Sequence, residues 1–278
     1  MDQVITFVSM TYNLWGDSYA EQRAPALQAL LETRPPDLLA TQELRAWSRD
    51  LIDATLVEHE RVHDSGAGWE KQSNLWWRRD MFTAIDSGWS DVGILSTGAG
   101  LFWVRLLPYS AEAPELVFST AHLTWPGHPD EQVDRINRRT QQAQAIVAEL
   151  DRLAGDAACL FTVDINDIGA PLWALGHAGF ADSFTSLGRV SPPTHPVEPI
   201  PHRPNAGTPQ SPLESPSKAI DWQFARGPLQ ARSSEVVEFF FQGHAPSDHR
   251  PVVSTFTLGG PVGSAHSNSY PSLDEVRT

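Results

Sequence analysis

The chain has 278 residues, with 34 acidic side chains against 20 basic ones, a formal net charge of −14, 41% hydrophobic residues, 22 prolines and a single cysteine. A soluble chain of this length buries roughly three quarters of its unfolded surface, so one large α/β domain or two small ones is within reach, and a disordered chain is excluded by the apolar and aromatic content. The lone Cys159 excludes an internal disulfide framework and a multi-cysteine zinc site, and the acidic surplus argues against a general nucleic-acid coat held by phosphate neutralisation.

In chain order, Val4 to Tyr12 alternates and is β-rich, which predicts a strand. Glu21 to Thr33 predicts a helix with Leu27, Leu30 and Leu31 inward, stopped by Pro35-Pro36, and Asp37 to Gln42 a short buried strand. A second helix is expected over Ala46 to Leu56, then strands over Asn74–Arg79, Phe82–Gly88, Leu101–Leu107 and Leu116–Leu123. The longest predicted helix runs from Asp130 to Leu153, on Val133, Ile136, Thr140, Ala143, Val147 and Leu150 at three- and four-residue steps. A strand over Leu160–Ile165, a short helix over Leu172–His177, and strands over Ile220–Ala225 and Arg250–Leu258 complete the ordered part. Residues 1–258 read as a single domain carrying a proline-rich insert at 190–218, and 259–278 as a flexible tail.

Only Lys71 and Lys218 are lysines, so most positive charge is arginine, which favours bidentate phosphate contacts and leaves small phosphate esters open as partners. No basic leader and no run of about 20 apolar residues is seen, so a cytoplasmic protein with no membrane association is expected.

Polar, metal-capable residues recur at predicted strand ends, where a scaffold can hold them rigidly. They are Asn13, Gln42-Glu43, His122, Asp164 and Asn166, Asp221, and Asp248-His249. Each alone has a plain structural reading: Asn13 a turn cap, Glu43 a solvated strand end, His122 a core histidine, Asp164 and Asn166 a turn. Asp221, between Ile220 and Trp222, is harder to dismiss, because a buried acid is costly unless paired.

Thr11-Tyr12-Asn13-Leu14-Trp15, Thr41-Gln42-Glu43, Ser119-Thr120-Ala121-His122-Leu123, Val163-Asp164-Ile165-Asn166, Ala219-Ile220-Asp221-Trp222 and Ser247-Asp248-His249-Arg250-Pro251 occur in an ordered series. With these motifs the chain resembles the endonuclease/exonuclease/phosphatase superfamily of Mg²⁺-dependent phosphoesterases. The resemblance implies a four-layer α/β/β/α sandwich of two mixed sheets flanked by helices, with the site at one end of the sheets. It implies Glu43 as the principal ligand of Mg²⁺ (or Mn²⁺ in its place), with Asn13 and Asp248 close to the metal. It further implies that Asp164 and Asn166 position water and phosphate, that His249 is the general base oriented by Asp221, and that His122 meets the phosphoryl oxygens. Val163-Asp164-Ile165-Asn166 stands where the family commonly writes Gly-Asp-Phe-Asn, keeping both chemical residues. Trp125, Arg139 and His195 are candidate substrate contacts, with His128 and Arg135 beside them, and a base-stacking role for Trp76-Trp77 is a further option.

The leading expectation is a Mg²⁺-dependent hydrolase of a phosphodiester or phosphomonoester, in a small phosphorylated molecule or nucleotide rather than in long duplex DNA. A nuclease acting on DNA or RNA is the alternative within this chemistry, and a non-catalytic binding protein that keeps the fold is the alternative outside it.

Overall fold

Strand β1 (Ile5–Asn13) lies at the centre of a six-stranded mixed sheet in the computed structural model, which describes residues 4–110, 113–197 and 217–259. Its partners are β2 (Leu38–Gln42), parallel to it, and β12 (Val252–Leu258), antiparallel; β4 (Ser73–Arg78), β3 (His59–Arg61) and β11 (Leu229–Val236) extend the sheet in the order β11-β12-β1-β2-β4-β3. A second sheet of six takes β5 (Phe82–Ser90), β6 (Leu101–Pro108), β7 (Leu116–His122), β8 (Ala158–Asp164), β9 (Ala181–Asp182) and β10 (Asp221–Arg226), in the order β5-β6-β7-β8-β10-β9, with only β7 and β8 parallel.

Helices cover the outer faces. Leu27, Leu30 and Leu31 of α1 (Ala20–Thr33) and Ile52 of α2 (Ala46–Thr55) pack on Met10, Tyr12, Leu39 and Trp76 of the first sheet. Ile146, Leu150 and Leu153 of α5 (Arg139–Ala154) and Leu175 of α6 (Ala170–His177) pack on Val117, Phe161, Val163 and Phe224 of the second. A short α3 (Ala67–Lys71) puts Trp69 into the layer between the sheets. The expected α/β/β/α sandwich of two mixed sheets is what forms.

The layer between the sheets changes character along the strands. At one end it holds Phe7, Leu38, Leu116, Phe118, Leu160, Ala225 and Phe256. Two and four residues further along the same strand faces come Ser9 and Thr11, Gln42, Thr120, Thr162 and Gln223, all fully buried. These polar groups tie one sheet to the other. The Gln42 amide donates to Thr11 Oγ1 (3.0 Å) in its own sheet and to Thr120 Oγ1 (2.7 Å) opposite. Gln223 Nε2 donates across to the Ser9 and Val252 carbonyls (3.1 and 2.8 Å).

Three expectations are corrected. The helix predicted over Asp130–Leu153 is two: α4 (Pro129–Asp134) and α5, parted where Arg135 takes a left-handed backbone (φ 63°). Val133 and Ile136, which seemed to continue the apolar stripe, are exposed. Glu131 Oε1 and Asn137 Oδ1 accept from the Arg138 and Arg139 backbone N–H groups, satisfying the start of α5 locally. The pair Trp76-Trp77 is buried on both faces of β4, 1% and 3% exposed, so neither ring can stack on a base. Strands β3, β9 and β11 and helix α3 go unpredicted. Of the proline-rich insert at 190–218, residues 198–216 lie outside the described residues, as do 260–278 of the expected tail.

Candidate active site

The strand registers bring the candidate residues to one end of the sandwich. Asn13 and Gln42 are register partners at the ends of β1 and β2, His122 and Asp164 at the ends of β7 and β8, and Asp221 opens β10 directly opposite Asp164. Asp248 and His249 sit in the loop that leads into β12. The polar half of the intersheet layer therefore runs out into the site.

Asn13 clamps two acids. Its Nδ2 donates to Asp164 Oδ2 across the sheets (2.8 Å) and to Glu43 Oε1 (3.2 Å), while its Oδ1 accepts from the Trp15 N–H (3.0 Å). Glu43 holds a left-handed backbone (φ 52°), a conformation a non-glycine residue adopts at a cost on the order of 1 kcal/mol. The loop after β1 is braced by Arg23, fully buried, whose guanidinium donates to the Leu14, Gly16 and Ser18 carbonyls and lies 5.1 Å from the Trp15 ring.

On the second sheet, Asp164 Oδ1 accepts from the Asn166 N–H (3.0 Å), fixing an αL turn at Asn166 (φ 51°). The turn aims the Asn166 amide at the Leu123 carbonyl (3.0 Å) and at His122 Nε2 (2.9 Å). His122 Nε2 lies 3.4 Å from Asp164 Oδ2 and 4.0 Å from Glu43 Oε1.

His249 Nδ1 meets Asp221 Oδ2 at 2.9 Å, both groups buried, and its Nε2 faces Asp164 and Asp248, 3.9 Å from an oxygen of each. Thr194, which the sequence gave no reason to single out, holds the backbone of Asp221: its Oγ1 accepts from the N–H groups of Ile220 (3.1 Å) and Asp221 (3.2 Å). Burial alone would depress His249, but the Asp221 carboxylate, with Asp164 and Asp248 behind it, outweighs burial and holds the imidazole well above its usual value. Burial, with Glu43 adding and His249 opposing, raises Asp248 to about 6. Burial and then the neighbouring His249 push His195 down to about 4.

Glu43, His122, Asp164, Asn166, Asp248 and His249 line a cleft of about 420 Å³ that also takes in Trp15, Trp125, His195 and Lys218, with Asn13, Thr194 and Asp221 buried behind it. The structure thus brings together Asn13, Glu43, His122, Asp164, Asn166, Asp221, Asp248 and His249, with Trp125 and His195 on the walls. Arg139 stands apart from it. Its guanidinium is buried in bonds to Glu131 Oε2 (2.9 Å), Asp167 Oδ2 (3.2 Å) and the Thr124 carbonyl (2.7 Å), so it braces the loop instead of meeting substrate. His128 caps α4 by accepting from the Asp130 N–H, and Arg135 sits exposed at the end of that helix. Lys218 and Thr194 are the site residues that sequence reasoning missed; both flank a stretch with no apolar period to mark it.

The sequence model of the endonuclease/exonuclease/phosphatase family matches residues 10–249, a span that holds every residue of this cleft. The chain belongs to the endonuclease/exonuclease/phosphatase family. Members of the family hydrolyse phosphoric esters, and this chain is an enzyme of that class. Among solved structures similar in fold, D. rerio TDP2 complexed with a single-stranded DNA product is 19% identical at a TM-score of 0.72, over 90% of this chain and 98% of that one. A family protein from Bacteroides thetaiotaomicron is 17% identical at 0.70 (93% and 100%), and a mannosyl-6-phosphatase of the same organism 18% identical at 0.66 (90% and 98%). No curated protein matches the chain.

Enzymes of the endonuclease/exonuclease/phosphatase family are generally dependent on a divalent metal. The donor set here fits a hard cation. Glu43, Asp164 and Asp248 converge on one cleft, and among the described residues the only side chains in ion-pair range of these carboxylates are histidines. Two groups of side chains, His195, Asp248 and His249, and Asp164, Asp221 and His249, put ligand atoms within 4.8 Å of one another; the second is already committed to the His249–Asp221 bond.

Proposed function

We propose that this chain is a Mg²⁺-dependent phosphoesterase that acts on a small phosphorylated molecule or nucleotide. The observation that carries the reading is the His249–Asp221 pair beside three carboxylates that, among the described residues, have no Arg or Lys in ion-pair range. A bound Mg²⁺ (or Mn²⁺) would neutralise charge on the phosphoryl oxygens and leaving group. Glu43 and Asp248 would hold it, with Asn13 fixing the Glu43 carboxylate from the side; an Asn13 ligand would have to turn its amide over and break the bond to the Trp15 N–H.

His249 Nε2 takes the proton of the attacking water as the water oxygen bonds to phosphorus. Asp221, at Nδ1, keeps the ring in the tautomer that leaves Nε2 free to accept. The bond from phosphorus to the leaving oxygen breaks, and that oxygen takes up a proton. Asn166 and His122 meet the phosphoryl oxygens as charge builds on them.

The preference for a small substrate rests on the walls. Among the described residues that line the cleft, Lys218 is the single Lys or Arg, whereas a grip on long nucleic acid needs a row of them. A nuclease acting on DNA or RNA remains the second reading, favoured by the fold shared with the DNA-bound TDP2.

A hydrolysis screen tests this: bis-p-nitrophenyl phosphate, p-nitrophenyl phosphate, nucleotides, sugar and inositol phosphates, plasmid DNA and RNA, each with and without Mg²⁺, and H249A as the blank. Mg²⁺-dependent release from small esters with little effect of salt is expected. Absence of hydrolysis across the panel would overturn the reading, and turnover confined to DNA or RNA and collapsing with salt would replace it by the second.

A further inference from the structure

The two ends of the proline-rich insert return to the cleft as a pair. His195 and Lys218 form an antiparallel bridge: the His195 N–H donates to the Lys218 carbonyl (3.0 Å) and the Lys218 N–H to the His195 carbonyl (2.7 Å). Residues that exchange both backbone bonds put their side chains on the same face, and both of these line the cleft. The bridge is fastened on either side of the His249–Asp221 pair. The Thr194 carbonyl accepts from the Arg250 N–H (2.7 Å), the Asp248 carbonyl accepts from the Val197 N–H (2.6 Å), and Thr194 is fully buried. His195 leans on His249, with ring centroids 4.6 Å apart, and brings its Nε2 to 3.9 Å from Asp248 Oδ2. Lys218 is exposed, and none of the ion pairs among the described residues includes it.

We propose that His195 and Lys218 form an anion-binding wall that receives the second charged oxygen of a phosphomonoester, so that the cleft prefers terminal phosphate groups on small molecules to phosphodiesters. The inference rests on the phosphoesterase reading above. A diester presents one ionised oxygen near neutral pH, and a monoester carries close to a second full charge, its second pKa being about 6. That extra charge needs a donor beyond those serving the first. The cleft wall that the two residues line supplies two of different kinds: an imidazole N–H on a ring that leans on His249, and an ammonium on a flexible stem. A diester puts an esterified, uncharged oxygen there, to which a lysine gives little.

The test has a binding arm and a turnover arm. Titration calorimetry of inorganic phosphate into the full chain with Mg²⁺ present should show wild-type binding that weakens at least about tenfold in K218A, the loss of one charge-assisted hydrogen bond, and less in K218R. H195F, which keeps a ring against His249 and removes the N–H, should weaken binding as well. In the second arm, the ratio of kcat/KM for p-nitrophenyl phosphate to that for bis-p-nitrophenyl phosphate should fall by about tenfold in K218A and recover in K218R. Wild-type chain that fails to bind phosphate, or K218A that binds it as tightly as wild type, overturns the wall, whatever the turnover. The expected binding pattern without hydrolysis of these esters or of any other ester in the panel above leaves the wall standing and removes the phosphoesterase reading. Hydrolysis of both esters with an unchanged ratio in K218A removes the wall and leaves that reading intact.

Discussion

His249 meets two opposed demands within a few ångströms. Its Nδ1 is bound to a buried carboxylate, and its Nε2 looks out on Asp164 and Asp248. The first fixes the ring; in the proposed mechanism the second is where a proton must arrive. Because Asp164 also receives the Asn13 amide and the Asn166 N–H, it is the residue at which the two halves of the site join. H249A and D164A are each expected to lower turnover of the best ester by at least about a hundredfold, the scale of losing a general base or a group that orients the reacting atoms. Steady-state kinetics reads the loss, and circular dichroism should show the fold retained; near wild-type turnover in either variant refutes the assignment. D221N keeps the shape of the side chain but offers an amide to Nδ1. Its turnover should fall while its substrate affinity stays close to wild type.

At the scale of elements, the site is built from strand ends and from the stem of an insert. T194V removes the acceptor that holds the Ile220 and Asp221 N–H groups and is expected to destabilise the chain by about 1–3 kcal/mol, read by denaturant unfolding. It should also lower turnover, since Asp221 is the group left loose. The strand ends were legible in the sequence, because Asn13, Glu43, His122, Asp164, Asp221 and His249 each lie at an end of a predicted strand, and their order matched one family. The stem was not legible. Thr194 and Lys218 are defined by backbone bonds to chain far away in sequence, and no local pattern records those. Nor could periodicity find the break between α4 and α5. Val133 and Ile136 keep helical spacing through it, and the break is decided by Glu131, buried against Arg139, and by the Asn137 side chain at the helix start. Strand β11 escaped because Leu229–Val236 is an edge strand with few apolar residues and a bulge between Ala231 and Ser233.

For the molecule as a whole, the sandwich buries Cys159 completely on the outer face of β8, among Val117, Ile146 and Phe161. Burial pushes its thiol up to about 12. Native protein at pH 8 should therefore stay unlabelled by a thiol reagent, with one equivalent reacting once the chain is unfolded; rapid labelling of the native state would contradict this packing. The charge of −14 acts at the same scale. It leaves the molecule a repulsive surface for polyanions, so turnover of a small ester should change little between low and physiological salt, where a duplex-binding enzyme would lose much of its affinity.

The amide ties of Gln42 and Gln223 bear on how this molecule could fail. Asn13, Glu43 and His249 are carried by one sheet, and His122, Asp164 and Asp221 by the other, so the proposed catalytic geometry exists only while the two sheets keep their mutual alignment. An apolar interface tolerates sliding, since one greasy contact replaces another. Directional bonds to Thr120 Oγ1 and to the Ser9 carbonyl do not. The polar end of the sandwich thus works as a pair of alignment pins, and on the proposed mechanism catalytic rate becomes a gauge of sheet-to-sheet displacement, sensitive to shifts too small to register as unfolding.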